Sequence, residues 1–189
     1  MAAPGSDPAA KNPAPLGEIR LFVMDVDGTL TDGTITYGGD GTEWKSFHAR
    51  DGLGIKLLPL AGIEPAIVTA RESAVVSRRA KELGIRHVIQ GAADKRAAVR
   101  ALGARLGVSA DAVAYVGDDL SDLPAMTEAA FSAAPADAAA EVRAIADHVC
   151  VAAGGRGAVR EAIEHLLKRE GRWDRVLSAY VEAAGATAS

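Results

Sequence analysis

Two short acidic motifs stand out because of their residue types and spacing. The first reads Asp25-Val-Asp27-Gly28-Thr-Leu and directly follows an apolar run. In an open α/β sheet, ligands bind at the carboxyl ends of strands. Two carboxylates at such an end can address one phosphate ester, with Asp25 attacking phosphorus and Asp27 donating and later accepting a proton. Gly28 lets backbone N–H groups approach phosphate oxygens. The alternative interpretation is an Asx-rich turn that only ends a strand.

The second motif, Gly117-Asp118-Asp119-Leu-Ser-Asp122, follows another apolar run and predicts a cation site. Acids this close repel one another unless they share a cation. Oxygen ligands without a neighbouring histidine or thiol favour Mg²⁺. We expect Asp118 to bind the metal directly. Asp119 is expected either to lie beyond the directly bound ligands or to reach the metal through a water molecule. Asp122 is expected to cap the following helix. Taken alone, the motif also fits a solvated acidic turn.

Thr69 and Lys95 lie between the two motifs. Thr69 ends the second apolar run, and Lys95 opens a helical stretch after the third. A hydroxyl and an ammonium at neighbouring strand ends can hold the oxygens of a transferring phosphoryl group. A single Thr or Lys is more often structural or solvated, but the position of this pair at successive strand ends favours a catalytic role.

A parallel sheet would bring these residues together, and the chain alternates as such a sheet requires. Short apolar runs predict buried strands at residues 19–26, 65–69, 87–90, 113–117 and 148–151. Helical periodicity predicts helices over residues 72–83, 95–106, 158–167 and 173–184. The predicted fold is α/β, a Rossmann-like doubly wound parallel sheet.

Residues 33–47 interrupt the alternation. Two β-prone arms flank a Gly-Gly-Asp-Gly turn at residues 38–41, and the arms carry Tyr37 and Trp44. This pattern predicts a small β-hairpin insertion after the first strand. The insertion is too short to form a separate lid, so no large cap domain is expected.

Length and composition indicate one globular domain. The chain has 189 residues, 49% of them hydrophobic, and a formal net charge of −4, so no field of one sign points to nucleic acid or a membrane surface. Residues 1–17, rich in Ala and Pro, are predicted to be a disordered leader, residues 18–184 the single domain, and residues 185–189 a disordered tail. No apolar run approaches the roughly 20 residues needed to span a bilayer.

The cysteine and the histidines suggest no chemistry of their own. Cys150 is the only cysteine, which excludes an internal disulfide and a cysteine-based metal cage, and favours a reducing, cytoplasmic location. We expect Cys150 to be an inert buried thiol. The histidines are scattered in sequence, which argues against a histidine metal site. They are His48, His87, His148 and His165.

The ordered catalytic motifs resemble the haloacid dehalogenase superfamily. More narrowly, the chain resembles its nearly capless branch of 3-deoxy-D-manno-octulosonate 8-phosphate phosphatases. The similarity runs from about Ile19 to the helix near Lys168. It includes two further motifs, Phe-His-Ala-Arg-Asp-Gly-Leu-Gly-Ile-Lys at residues 47–56 and Gly-Gly-Arg-Gly-Ala-Val-Arg-Glu at residues 154–161, which are more specific than the catalytic set.

The resemblance implies a role for each matching residue. Asp25 would be the nucleophile that forms an aspartyl-phosphate, and Asp27 the general acid and base. Mg²⁺ would be bound by Asp25, the backbone carbonyl of Asp27, and Asp118. Thr69 and Lys95 would hold the phosphoryl group. The family also implies a homotetramer in which the hairpins meet and a neighbour helps to close each site, and a mobile flap at residues 154–157.

The substrate implied by the resemblance is 3-deoxy-D-manno-octulosonate 8-phosphate, a lipopolysaccharide precursor. A related branch acts on nine-carbon sialic-type sugar phosphates and has a glutamate where this chain has Arg71. An arginine can pair with a substrate carboxylate, whereas a glutamate would repel it. Glu82 stands where the sialic-type enzymes have a lysine, and it favours the same choice. Ala70 departs from the family, which usually has a glycine there.

Several alternatives stay open. Arg50 can contact substrate or form a structural ion pair, and Arg156 can lie near a substrate carboxylate or face solvent. A nine-carbon sialic-type phosphate remains the alternative substrate. The non-enzymatic alternatives are a phosphoacceptor module, whose acids and lysine follow a different order along the chain, and a binding module that has lost turnover.

Overall fold

The central sheet is built from strands whose residues alternate between its two faces. The structure is a computed structural model that describes residues 18–186; the predicted leader, residues 1–17, and residues 187–189 of the predicted tail lie outside the described residues. The strands are β1 (Leu21–Met24), β2 (Thr36–Tyr37), β3 (Glu43–Trp44), β4 (Glu64–Val68), β5 (His87–Ile89), β6 (Val113–Val116), β7 (Phe131–Ala134) and β8 (His148–Val149). Within the described residues, six of them form one parallel sheet in the order β5-β4-β1-β6-β7-β8.

The helices cover both faces of this sheet. They are α1 (Ala49–Leu57), α2 (Ala74–Leu83), α3 (Lys95–Leu106), α4 (Leu123–Met126), α5 (Ala140–Ile145), α6 (Ala158–Arg169) and α7 (Trp173–Ala186). Short 3₁₀ turns lie at Leu58–Ala61, Ala110–Ala112 and Leu120–Asp122. No helix of the described chain is long and apolar enough to cross a membrane.

The predicted doubly wound fold is confirmed, with one strand that the sequence did not predict. β7 has the sequence Phe-Ser-Ala-Ala, which lacks the β-branched residues typical of strands. It forms because it is buried along its length between β6 and β8. The predicted helix at residues 173–184 continues to Ala186.

Two apolar clusters cover the two faces of the sheet. Phe22 and Met24 of β1 belong to a cluster with residues of α1 and α6, such as Ile163. Leu21 and Val23 belong to the other cluster, with residues of α3 and α4. Because alternate residues of β1 enter opposite clusters, the strand is buried on both faces, and its carboxyl end is held rigidly.

The two family-specific motifs meet between α1 and α6. Asp51, which is buried, accepts hydrogen bonds from the backbone N–H of Arg160 at 2.7 Å and of Gly157 at 3.2 Å. It therefore caps the start of α6 from another helix, where the orphan N–H groups of a helix need an acceptor. A Cβ atom at Gly54 would lie 2.9 Å from Arg160 Cδ, so the glycine permits the close approach of α1 and α6.

The hairpin, residues 33–47, is confirmed as a two-stranded insertion of β2 and β3. Glu43 of β3 accepts a hydrogen bond from the Ser73 hydroxyl, and Ser73 is the N-cap of α2, where its hydroxyl accepts from the Val76 N–H at 3.3 Å. The hairpin is therefore tied to the start of α2, beside the carboxyl ends of the strands.

Candidate active site

The carboxyl ends of β1, β4 and β6 bring the predicted catalytic residues together. The Asp25 N–H donates to the Val116 carbonyl at 3.0 Å, which continues the pairing of β1 with β6 past the end of the strand. The chain then turns, with the N–H groups of residues 29–31 all directed at the carbonyl of Val26. Thr69 follows β4, next to β1 in the sheet, and is buried. Asp118 follows β6 on the other side.

Lys95 links the nucleophile candidate to the second acidic motif. Its Nζ lies 2.8 Å from Asp25 Oδ2 and 2.7 Å from Asp122 Oδ1. Burial lowers the pKa of Lys95, but the two carboxylates outweigh burial, so that its pKa is raised. Lys95 therefore stays an ammonium and can hold both a carboxylate and a phosphoryl oxygen.

The carboxylates around Lys95 are close enough to repel one another when they are ionised. Asp25, Asp118 and Asp122 place carboxylate oxygens within 4.8 Å of one another. Burial, with the charge of Asp122, raises the pKa of Asp25 to about 6, although Lys95 opposes the change. Burial also raises the pKa of Asp118 to about 7, with the Thr29 hydroxyl, 2.9 Å away, opposing it. Such shifts indicate a site where ionised acids need a cation.

The residues present fit a magnesium ion. Asp25 and Asp118 each offer a carboxylate oxygen, and these oxygens lie within 4.8 Å of one another, close enough to share one ion. The donors are carboxylate oxygens, the ligands that Mg²⁺ prefers. Gly28 has φ of +88°, and a Cβ atom there would lie 2.0 Å from Asp118 Oδ2, so only glycine allows the loop after β1 to approach this carboxylate. Asp25, Asp118 and the backbone carbonyl of Asp27 would hold the ion.

The sequence suggested that the side chain of Asp122 caps the following helix, and this prediction is wrong. Its carboxylate makes no cap bond to α4. It turns back and accepts hydrogen bonds from Lys95, from the Tyr115 hydroxyl at 2.7 Å, and from the N–H groups of Asp118 and Asp119 at 3.1 and 3.2 Å. The buried ammonium of Lys95 needs this counter-charge, and a rule based on local sequence cannot detect it.

Asp119 lies apart from this cluster of carboxylates. Its carboxylate accepts the N–H of Leu120 at 2.8 Å, and the residue is exposed. Asp119 is the N-cap of the 3₁₀ turn Leu120–Asp122. A role toward the metal through water stays a prediction.

Asp27, the proposed acid and base, is held by two basic side chains. Lys45 of the hairpin donates to Asp27 Oδ1, and its side chain is only 1% exposed. Arg71 Nε lies 3.7 Å from Asp27 Oδ2. Sequence reasoning missed Lys45. Its neighbour Trp44 is exposed, and the alternation of side chains along an extended arm would have placed Lys45 on the opposite, inward face.

The three candidate specificity arginines have different surroundings. Arg71 Nη2 lies 2.6 Å from the Tyr37 hydroxyl, and the residue is half-buried where the hairpin meets the strand ends. Arg156 is exposed, with Nη2 3.6 Å from Asp32 Oδ2. Arg50 is exposed in the first turn of α1. The structure therefore brings Arg71 to the catalytic residues, while substrate contacts of the other two stay predictions.

The glycine-rich stretch at residues 154–157 packs on the loop after β1. The Gly155 N–H donates to the Thr29 carbonyl at 3.0 Å. A Cβ atom at Gly154 would lie 1.8 Å from the Gly28 carbonyl oxygen, so no other residue could sit there without displacing the loop. The predicted flap thus lies directly against the catalytic loop, and its mobility stays a prediction.

The comparisons with known proteins agree with this geometry. A profile of the haloacid dehalogenase-like hydrolase family matches residues 85–163. The 3-deoxy-D-manno-octulosonate 8-phosphate phosphatase KdsC of Escherichia coli K12 is 46% identical over 156 residues, which cover 82% of this chain and 83% of that protein. The Haemophilus influenzae enzyme of the same name is 43% identical over 157 residues, 83% of this chain and 87% of the relative.

Solved structures match with similar strength. The 3-deoxy-D-manno-octulosonate 8-phosphate phosphatase of Moraxella catarrhalis, in complex with magnesium ion, phosphate ion and KDO, is 47% identical, with a TM-score of 0.82 over 86% of this chain and 93% of that one. The cobalt-bound phosphatase of Haemophilus influenzae is 42% identical, with a TM-score of 0.79 over 82% of this chain and 91% of that one.

Proposed function

Because this chain belongs to the 3-deoxy-D-manno-octulosonate 8-phosphate phosphatase family of haloacid dehalogenase-like hydrolases, we propose that it hydrolyses 3-deoxy-D-manno-octulosonate 8-phosphate to the free sugar acid and phosphate. This step would supply a lipopolysaccharide precursor. The observation that carries the proposal is the state of Asp25: one oxygen is held by Lys95, and the other is buried without a hydrogen-bond partner in the described chain.

The geometry supports a two-step phosphoryl transfer. Oδ1 of Asp25 attacks phosphorus while the bond from phosphorus to the sugar oxygen breaks, and Asp27 gives that oxygen its proton. The carboxylate of Asp27 then takes a proton from water, which attacks phosphorus of the aspartyl-phosphate, releases phosphate and restores Asp25. Bound Mg²⁺ supplies charge neutralisation on the phosphoryl oxygens.

The surrounding residues prepare these steps. Lys95 holds Oδ2 of Asp25, which fixes the direction in which Oδ1 points, and its ammonium can also bind a phosphoryl oxygen. Thr69, buried at the end of β4, can donate its hydroxyl to the same group. Lys45 and Arg71 fix the carboxylate of Asp27 on the side of the hairpin, where the leaving sugar must pass.

Arg71 supports an acidic sugar as substrate. Its guanidinium lies at the boundary between the hairpin and Asp27, and it is close enough to solvent to meet a sugar carboxylate. Glu82, the other position that separates the two substrate classes, lies on the exposed surface of α2 and pairs with Arg78 and Arg79. It has no contact with the strand ends in the described structure.

Steady-state kinetics with both sugar phosphates test the substrate. We expect kcat/KM to be higher for the eight-carbon phosphate than for a nine-carbon sialic-type phosphate. Arg71→Ala should lower kcat/KM more strongly for the eight-carbon phosphate than for an aryl phosphate without a carboxylate, and Arg78→Ala is the control. Preference for the nine-carbon substrate would overturn the assignment, and a failure to release phosphate from any ester in Mg²⁺ would support a binding module.

The hairpin also supports the proposed homotetramer. Tyr37 is 61% exposed and Trp44 64% exposed on the small sheet, and exposed aromatic side chains are enriched at protein interfaces. We expect light scattering to give a tetramer and Trp44→Ser to shift it towards smaller species. Val181→Ser, at an exposed apolar residue of α7, is the control. A wild-type monomer would contradict the proposal.

A cytoplasmic location is part of the proposal and rests on the single cysteine.

A further inference from the structure

A second cluster of potential metal ligands lies at the edge strand β8, outside the catalytic residues. His148 begins β8, Cys150 follows its end, and Glu161 comes from the first turn of α6. A nitrogen, a sulfur and an oxygen of these side chains all lie within 4.8 Å of one another. His148 and Cys150 are two residues apart in extended chain, so their side chains point to the same side.

The spacing of two of these atoms suits a shared ion better than a direct bond. His148 Nε2 lies 3.5 Å from Glu161 Oε1, longer than an ordinary N–H···O hydrogen bond. The same nitrogen is buried and has no hydrogen-bond partner in the described chain. Two ligands of one tetrahedral zinc ion, each bonded at about 2.0–2.2 Å, lie roughly 3.3–3.6 Å apart. The measured separation falls within this range.

Other contacts hold the three donors in place. The Glu161 carboxylate accepts the Val151 N–H at 2.8 Å and the Ala152 N–H at 3.0 Å. The ring of His148 stacks on His165, with centroids 3.9 Å apart. The buried Cys150 thiol donates to the Ala158 carbonyl at 3.4 Å, which holds its sulfur in position until a metal replaces the thiol proton. Such outer contacts orient metal ligands and are typical of working metal sites.

We propose that His148, Cys150 and Glu161 bind one transition-metal ion of the zinc or cobalt type, with water completing the coordination. Imidazole and thiolate ligands favour such ions over Mg²⁺, which suits the all-oxygen catalytic site. On binding, Cys150 forms a bond from sulfur to metal and releases its thiol proton to solvent. In the metal-free protein, burial and the charge of Glu161 raise the pKa of Cys150 to about 12, so the thiol is inert until a metal displaces its proton.

The proposed site departs from two expectations from the sequence. Scattered histidines and a single cysteine argued against a metal site with these ligands, because the sequence does not show that α6 packs beside the end of β8. One bound ion would link His148 and Cys150, which precede the segment 151–157, to Glu161, which follows it. That segment contacts the catalytic loop through the bond from Gly155 to Thr29. The bound ion would therefore brace the segment that lies over the active site.

Cobalt spectroscopy of the full chain tests the proposal. Only a site with a thiolate gives a near-ultraviolet sulfur-to-cobalt charge-transfer band, so the oxygen-only catalytic site is silent. We expect the band when Co²⁺ is added to the wild-type protein and to Asp118→Asn. It should be lost in Cys150→Ser and in His148→Gln, with the fold of each variant checked by circular dichroism and by its retained phosphatase activity in Mg²⁺.

A second readout keeps the result independent of how well the variants fold. Equilibrium dialysis of the wild-type protein with Co²⁺ in excess Mg²⁺ should retain about one cobalt per chain. No charge-transfer band in the wild-type protein would overturn the proposal. A band that persists in His148→Gln would do so as well, because the thiol would then bind cobalt without the cluster.

Discussion

Lys95 Nζ lies 2.8 Å from Oδ2 of Asp25 and leaves Oδ1 of the same carboxylate without a hydrogen-bond partner in the described structure. One oxygen is thereby fixed and the other is available. Because the Lys95 ammonium is itself held by Asp122 at 2.7 Å, it cannot follow Asp25 if that side chain moves. The pair therefore presents a nucleophile in a fixed direction at the end of β1, which favours in-line attack on a bound phosphate ester.

When the substrate has a leaving group that needs no proton, Asp27 should be more important for hydrolysis of the aspartyl-phosphate than for its formation. With an aryl phosphate, the leaving oxygen needs no proton, so Asp27→Asn should still transfer phosphate to Asp25. Hydrolysis of the aspartyl-phosphate should then be slower by about 10²- to 10⁴-fold, since no base activates water. Rapid mixing of the Asp27→Asn variant with the aryl phosphate should show a burst of released phenol, close to one molecule per active site. Asp25→Asn should show no burst, and a burst in that variant would contradict the assignment.

Lys45 should be important for turnover although it lies on the hairpin. Its contact fixes the carboxylate of Asp27, so Lys45→Met should lower kcat by roughly 10- to 100-fold, part of the contribution of general acid–base catalysis. Lys45→Arg should recover part of the loss, and Lys81→Met, on the exposed surface of α2, is the control. Unchanged kcat in Lys45→Met, measured at saturating substrate, would show that the contact has no catalytic role.

Asp122 should stabilise the fold as well as the site. Asp122→Asn removes one of the two charges that pair with the buried Lys95, and loss of a hydrogen bond between charged groups costs about 2 kcal/mol. Tyr115→Phe removes only one hydrogen bond to the same carboxylate and should cost about 1 kcal/mol. Urea unfolding of both variants measures the difference. If Asp122→Asn lost no more stability than Tyr115→Phe, the ion pair would not contribute as argued.

Magnesium should stabilise the protein more at pH 8 than at pH 5. The pKa of Asp118 is raised from 3.8 to about 7, so the metal-free folded state binds its proton more tightly than the unfolded state does. The stability that this bound proton gives to the folded state is fully present below about pH 4 and is lost as the pH rises through about 7. A cation that replaces the proton removes this penalty, and the thermal midpoint should rise more on adding Mg²⁺ at the higher pH.

Asp118→Asn provides the control for the magnesium experiment. Without this carboxylate, the metal-free protein should lose less stability between pH 5 and pH 8, and Mg²⁺ should shift its midpoint only slightly. Equal shifts at both pH values in the wild-type protein would mean that the buried carboxylates are not the groups to which the metal binds.

The catalytic set could be predicted from the sequence because it depends on strand ends. Asp25, Thr69, Lys95 and Asp118 each follow an apolar run, and the carboxyl ends of parallel strands converge on one edge. Local pattern was sufficient to place them. It was insufficient for β7, whose alanines are drawn into the sheet by burial between neighbouring strands rather than by any strand preference of their own.

The supporting contacts could not be predicted in the same way. Lys45 reaches Asp27 only because the hairpin folds back and is held by the bond between Glu43 and Ser73. Asp122 occupies a position typical of a helix cap, but the nearby buried ammonium determines where its carboxylate points. Both outcomes depend on charges that come together only in three dimensions, and local periodicity carries no information about them.

The stereochemical course at phosphorus tests the central claim most directly. An octulosonate phosphate analogue whose phosphorus is made chiral with sulfur and oxygen isotopes would be hydrolysed by the wild-type enzyme in isotopically labelled water. Two successive in-line displacements, first by Asp25 and then by water, predict retention of configuration in the released thiophosphate. Inversion would mean a single direct attack by water and would contradict a covalent intermediate on Asp25.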